Sequence, residues 1–291
     1  MTFAWPLALF YGWVFTAMTF VLLWRWSVPR QNAGIVDVGW AYTLGAWVVW
    51  YALVLPGDDA RQWLFAAATG FWAVRLGTFI LRRMGAEKAE DPRYRFLRQH
   101  WGERATWNFL FFFQAQGIAN LLLTAPILLL MLNPRPLTLW DGLGAAIIVG
   151  SVLLERSADN QLAAWKGNPA NKGKTCRTGW WAWSRHPNYF FEWLHWLAYP
   201  VAGLALWGTP LALWWPLTLL GPAVMFALLV RGTGVPYTEK RALKSRGADF
   251  RAYQNTVSSF FLWPAQPAPR GLRWLGARQA METPVEGKAA D

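Results

Sequence analysis

The sequence predicts an all-α fold, a polytopic membrane helix bundle of about seven transmembrane helices with the N-terminus outside and the C-terminus cytoplasmic. Three observations carry this. Of the 291 residues, 15% are charged and 55% are hydrophobic, where a soluble domain carries about 25% charged residues. The apolar residues gather into runs that reach the roughly 20 residues a helix needs to cross hydrocarbon. The Lys and Arg residues alternate from one side of these runs to the other. The 23 Trp residues agree, because amphipathic indoles concentrate where lipid meets water.

In chain order, residues 5–24, 38–57 and 105–134 hold no charge. Residues 62–81 hold one, Arg75, and residues 136–154 hold one, Asp141, near their start. Residues 187–230 hold one, Glu192, and are long enough for two spans with a break at "WGTP", residues 207–210. The connections after spans one, three and five, with the C-terminal segment, carry nearly all the basic residues. The connections after spans two and four carry Arg61 and Arg135 alone. By the positive-inside rule this alternation sets the orientation. The net charge of +12 then belongs to the cytoplasmic face, where it attracts anionic membrane lipid. Basic residues spread over separate membrane-bounded loops exclude a nucleic-acid partner. The first apolar run has no basic residue ahead of it and is long enough to span, so it reads as a helix rather than a signal peptide. A single cysteine, Cys176, excludes an intramolecular disulfide framework. Residues 265–291, rich in Pro, Gly and Ala, read as a loosely ordered tail.

Ionisable residues inside spans are costly and mark functional candidates. Asp37 opens span two, either as a helix-end carboxylate suited to the dipole or as a functional group. Arg75 either snorkels or pairs with Asp37. Gln114, Gln116 and Asn120 on span four read as hydrogen-bonding glue between helices. The charged loop 82–104 reads as an amphipathic surface helix, with Asp91, Arg93 and Tyr94 on a solvated face.

Span five runs on as a helix until Asn168-Pro169 stops it. Glu155, Asp159 and Lys166 share one face of it, interrupted by Leu162. The following "NKGKTCRTGWW" offers anion donors, Arg177 among them, without a GxxxxGK[ST] phosphate loop. No GxGxxG follows a strand, so nothing points to a Rossmann domain. In "SRHPNYFFEW", residues 184–193, Asn188 and Glu192 continue to His195 as a polar stripe at i, i+4 and i+7 entering the bilayer. Arg185 and His186 stand at its mouth, Pro187 suits the first helical turn, and a buried Glu192 needs hydrogen-bond partners. Cys176, His186 and His195 lack a recurring zinc spacing, so no metal is expected. The last helix carries Glu239, Arg241, Lys244 and Arg246, then Tyr253. Basic segments converging on an intramembrane polar stripe make a pocket for a large anionic ligand such as a phosphorylated nucleotide, with an apolar substrate entering from lipid. A polar cluster that only fixes helix packing is the alternative.

Asp159 in "SADNQ", the run "GKTCRTGWWAWSRHPNYFFEW" and the closing "TEKRALKSRGADFRAYQNTVSSFFLWP" resemble the membrane steroid 5α-reductase family, including a bacterial branch of steroid-reductase-like proteins. The resemblance is strong over residues 155–264 and rests on topology and a few charges before that. It implies a seven-helix reductase of the bacterial inner membrane that takes NADPH from the cytoplasm. Residues 1–264 would form one domain, with substrate-side helices in 1–135 and a cofactor-binding half in 136–264. Asp159, Asn188 and Glu192 match the family's cofactor contacts, with Lys166, Arg177 and Arg185 as phosphate candidates and His186 and Tyr189 in the same motif. Glu239, Arg241 and Arg246 carry over from the C-terminal helix. The implied reaction is hydride transfer to the β-carbon of a lipophilic enone. The family's substrate-holding Glu falls near Asp37 and its Tyr falls at Trp72, which has no acidic hydroxyl. That departure leaves the proton donor to Tyr42 or Tyr94. Isoprenylcysteine carboxyl methyltransferases, which bind S-adenosylmethionine, share an "RHPxY" turn and are the competing resemblance. A non-catalytic lipid-binding protein is the third reading.

Overall fold

The computed structural model describes residues 4–87, 89–232 and 234–265, so the expected tail beyond Ala265 lies outside the described residues. Among these the regular elements are helical, without a strand. In order they are α1 (Trp5–Arg30), α2 (Ile35–Val54), α3 (Asp59–Ala86), α4 (Pro92–Trp101), α5 (Ala105–Met131), α6 (Leu139–Gly167), α7 (Pro187–Ala202), α8 (Leu220–Val230) and α9 (Val235–Thr256). Among the described residues four helical runs are long and apolar enough to cross a membrane: Trp5–Arg30, Asp59–Ala86, Pro92–Met131 and Pro210–Thr256. The chain reads as an integral membrane protein.

Local chemistry sets the helix ends. The Asp58 carboxylate accepts from the Arg61 N–H at 2.8 Å and starts α3, and Asp91 does the same for α4, accepting from the Arg93 N–H at 2.9 Å. Helix α6 ends at Gly167, just before Asn168-Pro169, and α7 starts at Pro187, as their sequences predict. Helix α2 stops at Val54 rather than running to residue 57, because Pro56 cannot continue it. The break near residues 207–210 is built from Gly208, whose φ is +75°, and from Thr209, whose hydroxyl caps the Leu211 N–H at 3.2 Å. A 3₁₀ stretch, Pro210–Leu219, then leads into α8.

The described residues divide into two compact units, the first 4–149 with 197–221 and the second 150–196 with 222–265. In the first unit small residues let helices approach. Gly12 on α1 lies against Trp47 of α2, where a Cβ would come within 2.2 Å of the ring. Gly45 on α2 meets Ala73 on α3, where a Cβ would stand 2.6 Å away. Polar side chains on α5 tie it to its neighbours, as the sequence suggests. Gln114 Nε2 donates to the Ala17 carbonyl at 3.2 Å, and Asn120 Nδ2 donates to the Trp40 carbonyl at 3.0 Å.

The first unit also contains a fully buried ion pair that the sequence shows only as two lone charges. Arg61 Nε donates to Asp141 Oδ1 at 2.7 Å, and Nη2 donates to Oδ2 at 3.0 Å. The guanidinium also donates to the carbonyls of Asn133 (2.9 Å), Arg135 (2.7 Å) and Pro136 (3.1 Å). Asp141 accepts from the Thr138 N–H and hydroxyl, each at 2.8 Å. Both charged residues are 0% exposed. A single arginine thereby satisfies the carbonyls of the turn between α5 and α6.

In the second unit a 3₁₀ turn, Gly179–Ala182, docks on α6. Trp180 Nε1 donates to Ser157 Oγ at 3.2 Å, Trp181 Nε1 donates to the Ala158 carbonyl at 3.0 Å, and the Trp180 N–H donates to Gln161 Oε1 at 2.9 Å. Gly179 has φ +60°, and a Cβ there would lie 2.3 Å from Gln161 Oε1, so glycine alone fits. The Tyr253 hydroxyl on α9 donates to the carbonyls of Trp181 and Ser184, fixing the turn that leads into α7.

Candidate functional site

The residues expected to contact a cofactor all belong to the second unit. Helix α6 carries Asp159 and α7 carries Asn188, and Asn188 Nδ2 donates to Asp159 Oδ1 at 3.2 Å. Both side chains are half-buried. One turn further along α7, Glu192 is 8% exposed and accepts from Trp196 Nε1 at 3.2 Å. Glu155, one turn before Asp159, and His195 are also buried. The His195 ring stacks on Trp196 with centroids 5.3 Å apart. An amide and a carboxylate side by side offer both donors and acceptors to a ligand's hydroxyl and amide groups.

Arg185, His186 and Glu239 form a knot beside this pair. Arg185 Nε donates to Glu239 Oε1 at 2.7 Å. Its Nη1 donates to the carbonyls of Gln254 (3.1 Å) and Val257 (2.6 Å), and its backbone N–H donates to the Ser258 carbonyl at 2.8 Å. Glu239 is acceptor-only, so His186 donates to Oε1 from Nε2, at 3.2 Å. Gln254 Nε2 donates to Glu239 Oε2 at 2.7 Å. The imidazole stacks on Tyr189, whose hydroxyl shares a hydrogen bond with Thr238 at 3.1 Å. Arg185, His186 and Glu239 are all buried. These three, expected among the cofactor contacts, are thus buried and hydrogen-bonded to one another and to the segment around Gln254–Val257.

Burial alone would raise the Glu239 carboxyl, but the His186 hydrogen bond and the Arg185 charge outweigh it and push the group down to about 2. Burial lowers His186 below its usual 6.5, against a smaller opposing pull from Glu239. With His186 neutral, Arg185 supplies the charge that holds Glu239. Both groups bind protons more readily unfolded than folded, so stability falls as pH drops. We expect unfolding of the purified protein to become easier below pH 6.5 as unfolded His186 charges, and again from 4.5 towards 2 as unfolded Glu239 takes up its proton. Melting temperatures across that range check this. A Glu239→Gln variant should lose the lower-pH component.

The remaining basic candidates are more accessible. Arg177 Nη2 donates to Asp249 Oδ1 at 2.9 Å, and its side chain is 41% exposed. Arg241 is exposed beside the Tyr237 ring, and Arg246 is half-buried beside Phe250. Lys166 is exposed at the end of α6. Among the described residues no three His, Cys, Asp or Glu side chains come together as a metal-binding group.

The catalytic candidates lie in the first unit, each with its own partners. Asp37, in the first turn of α2, accepts from the Tyr94 hydroxyl at 2.6 Å and from Arg93 Nη2 at 2.8 Å. Arg93 Nε also donates to Asp91 at 3.0 Å. Asp37 lines a small recess, open to the surface, with Asn32, Ile80, Arg83 and Met84. Tyr42 hydrogen-bonds Thr78 at 2.9 Å and is 36% exposed. Trp72 is 0% exposed, edge-on to Trp40 at 6.2 Å. The phenol brought to Asp37 is therefore that of Tyr94, not Tyr42. The pairing of Asp37 is likewise with Arg93, while Arg75 sits over the Phe79 ring. Asp91, Arg93 and Tyr94 are also more than a solvated face. Tyr94 is 4% exposed, its ring set against Phe109 and Phe112.

The family model described as a protein of unknown function, DUF1295, matches residues 23–257. An uncharacterised protein of Schizosaccharomyces pombe is 28% identical over 288 residues, covering 88% of this chain and 80% of that protein. No solved structure matches the chain.

Proposed function

For a chain that belongs to the DUF1295 family of proteins of unknown function, we propose an integral membrane reductase that uses NADPH to reduce a C=C bond in a lipophilic substrate of steroid-like, isoprenoid or fatty-acyl type. It is related to the steroid 5α-reductase-like enzymes. Seven spans, with the N-terminus outside and the C-terminus in the cytoplasm of a bacterial inner membrane, complete the reading. The observation that supports it most is the Asn188–Asp159 hydrogen bond with buried Glu192 one turn deeper. These three residues carry the resemblance, and the second unit holds them together.

The residues present fit the cofactor in part. Asp159 and Asn188 suit ribose hydroxyls and a carboxamide, and Lys166, Arg177, Arg241 and Arg246 are the accessible cations for its phosphates. Arg185, His186 and Glu239 hold the turn rather than the ligand. When bound, NADPH supplies the hydride, and binding, orientation and electrostatics remain the protein's share. For the proton, Tyr42 and Tyr94 are the candidate phenols. Tyr94 is the one hydrogen-bonded to Asp37 in the first unit.

Titration of NADPH into detergent-purified Asn188→Ala and Glu192→Ala tests the assignment. Each should bind about tenfold more weakly or worse, as for a lost hydrogen bond to a charged or buried polar group, when titrated below its own melting temperature. Affinity equal to the parent in both variants would remove the proposed site.

A further inference from the structure

Helix α2 is buried on nearly all sides, with a single exposed stripe. Its exposed residues are Tyr42, Ala46, Val49 and Leu53, at i, i+4, i+7 and i+11 on one face. Beside it α3 exposes Ala67, Phe71 and Val74 and half-exposes Thr78, at the same spacing. Contacts between the two helices fix their antiparallel register. Tyr42 Oη shares a hydrogen bond with Thr78 Oγ1 at 2.9 Å. A Cβ on Gly77 would stand 2.8 Å from the Tyr42 ring, and Gly45 meets Ala73. Continued from Tyr42 and Thr78, that register sets Ala46 beside Val74, Val49 beside Phe71 and Leu53 beside Ala67. The two stripes thus make one surface, about 16 Å long at 1.5 Å per residue. Its middle is shallow. Ala46 and Ala67 are small, and a Cβ on Gly70, between Ala67 and Val74 on the same face, would meet no atom within 4 Å.

The only polar side chains on this surface are the hydroxyls of Tyr42 and Thr78, at one end. Between them they carry two O–H donors and share one hydrogen bond, so one donor is left for a ligand. Tyr42 is 36% exposed and lies seven residues into α2, about 10 Å, where hydrocarbon offers that donor no partner. We infer that this surface binds a neutral single-chain lipid ketone. Its carbonyl oxygen accepts from the Tyr42–Thr78 pair, and its chain lies along Ala46, Gly70 and Val74. A carbonyl suits the end because it accepts without donating, and a neutral one because the surface carries no charge. One stripe from each helix leaves width for one chain, which commits the site to a free ketone over a two-chained phospholipid ester. Gly77 lets the phenol lie against α3, and a side chain there would push it off Thr78. The site lies wholly within the first unit, and binding there does not require the reductase reading. That the occupant is the substrate, with Tyr42 the phenol at its oxygen, rests on that reading.

Equilibrium binding of radiolabelled methyl dodecyl ketone to the full-length protein in phosphatidylcholine nanodiscs, without NADPH, tests this. Empty nanodiscs give the background, and tetradecane, the same chain without oxygen, gives the comparison. The ketone should bind saturably in the presence of the bulk ester lipid, and tetradecane should not. Tyr42→Phe keeps the ring against Gly77 and removes its hydroxyl, so it should bind the ketone about tenfold more weakly. Thr19→Val, which removes an exposed hydroxyl bonded to its own helix α1, should bind like the parent. Absence of saturable binding, equal binding of ketone and hydrocarbon, or parental affinity in Tyr42→Phe would each overturn the site. So would an equal loss in Thr19→Val. Because no cofactor is present, a protein that binds the ketone and fails to bind NADPH would keep this site and lose the reductase reading.

Discussion

Arg61→Ala is expected to destabilise the protein by about 3–5 kcal/mol, the range for removing one partner of a buried ion pair. The substitution strands the Asp141 carboxylate at 0% exposure and leaves the carbonyls of Asn133, Arg135 and Pro136 without the guanidinium that joins them. Arg61→Lys should recover little, because an ammonium lacks the planar fork that reaches Asp141 with two bonds. Denaturant or thermal unfolding in detergent measures the effect. A loss of under about 1 kcal/mol, the range of an exposed pair, would show that the turn between α5 and α6 does not need its arginine.

The second large effect is expected for Glu239→Ala, again about 3–5 kcal/mol. Arg185 and His186 would lose the carboxylate that both of them reach, and Arg185 would remain buried and uncompensated. Glu239→Gln keeps the shape and one acceptor, so it should fall between the parent and alanine. The scaffold assignment makes a sharper demand. Below the variant's melting temperature, Glu239→Gln should bind NADPH close to parental affinity. A variant with parental stability and lost affinity would return Glu239 to the cofactor contacts.

The sequence shows well where helices lie, because apolar runs bounded by Pro, Gly and charge leave few choices. The ends of α6 at Gly167 and the start of α7 at Pro187 are read directly from Asn168-Pro169 and from "RHP". The polar stripe of Asn188 and Glu192 is equally visible, since helical spacing places both on one face. The sequence does not show which charges meet. Arg61 and Asp141 are 80 residues apart, and nothing in local spacing joins them. Their signal is faint: two lone charges of opposite sign at the same side of the predicted bundle. By sequence Asp37 has Arg75 as its candidate partner, and the docking of α4 through buried Tyr94 brings it Arg93 instead. Arg185 reads as a phosphate candidate from the resemblance and from its place at the mouth of the polar stripe, in the turn before α7. The segment after α9 folds back along that turn, its Ser258, Phe260 and Trp263 bonding Arg185, Ser184 and Trp183, and buries it.

The measurement that bears most directly on the proposed activity is a parallel thermal-shift titration of the detergent-purified parent with NADPH, NADH and S-adenosylmethionine. A ligand of the native state raises the melting temperature by mass action. NADPH should raise it in a concentration-dependent way, NADH less for want of the extra phosphate, and S-adenosylmethionine not at all. A shift with S-adenosylmethionine and none with NADPH would contradict the reductase reading and assign the Asn188–Asp159 site to a methyl donor instead.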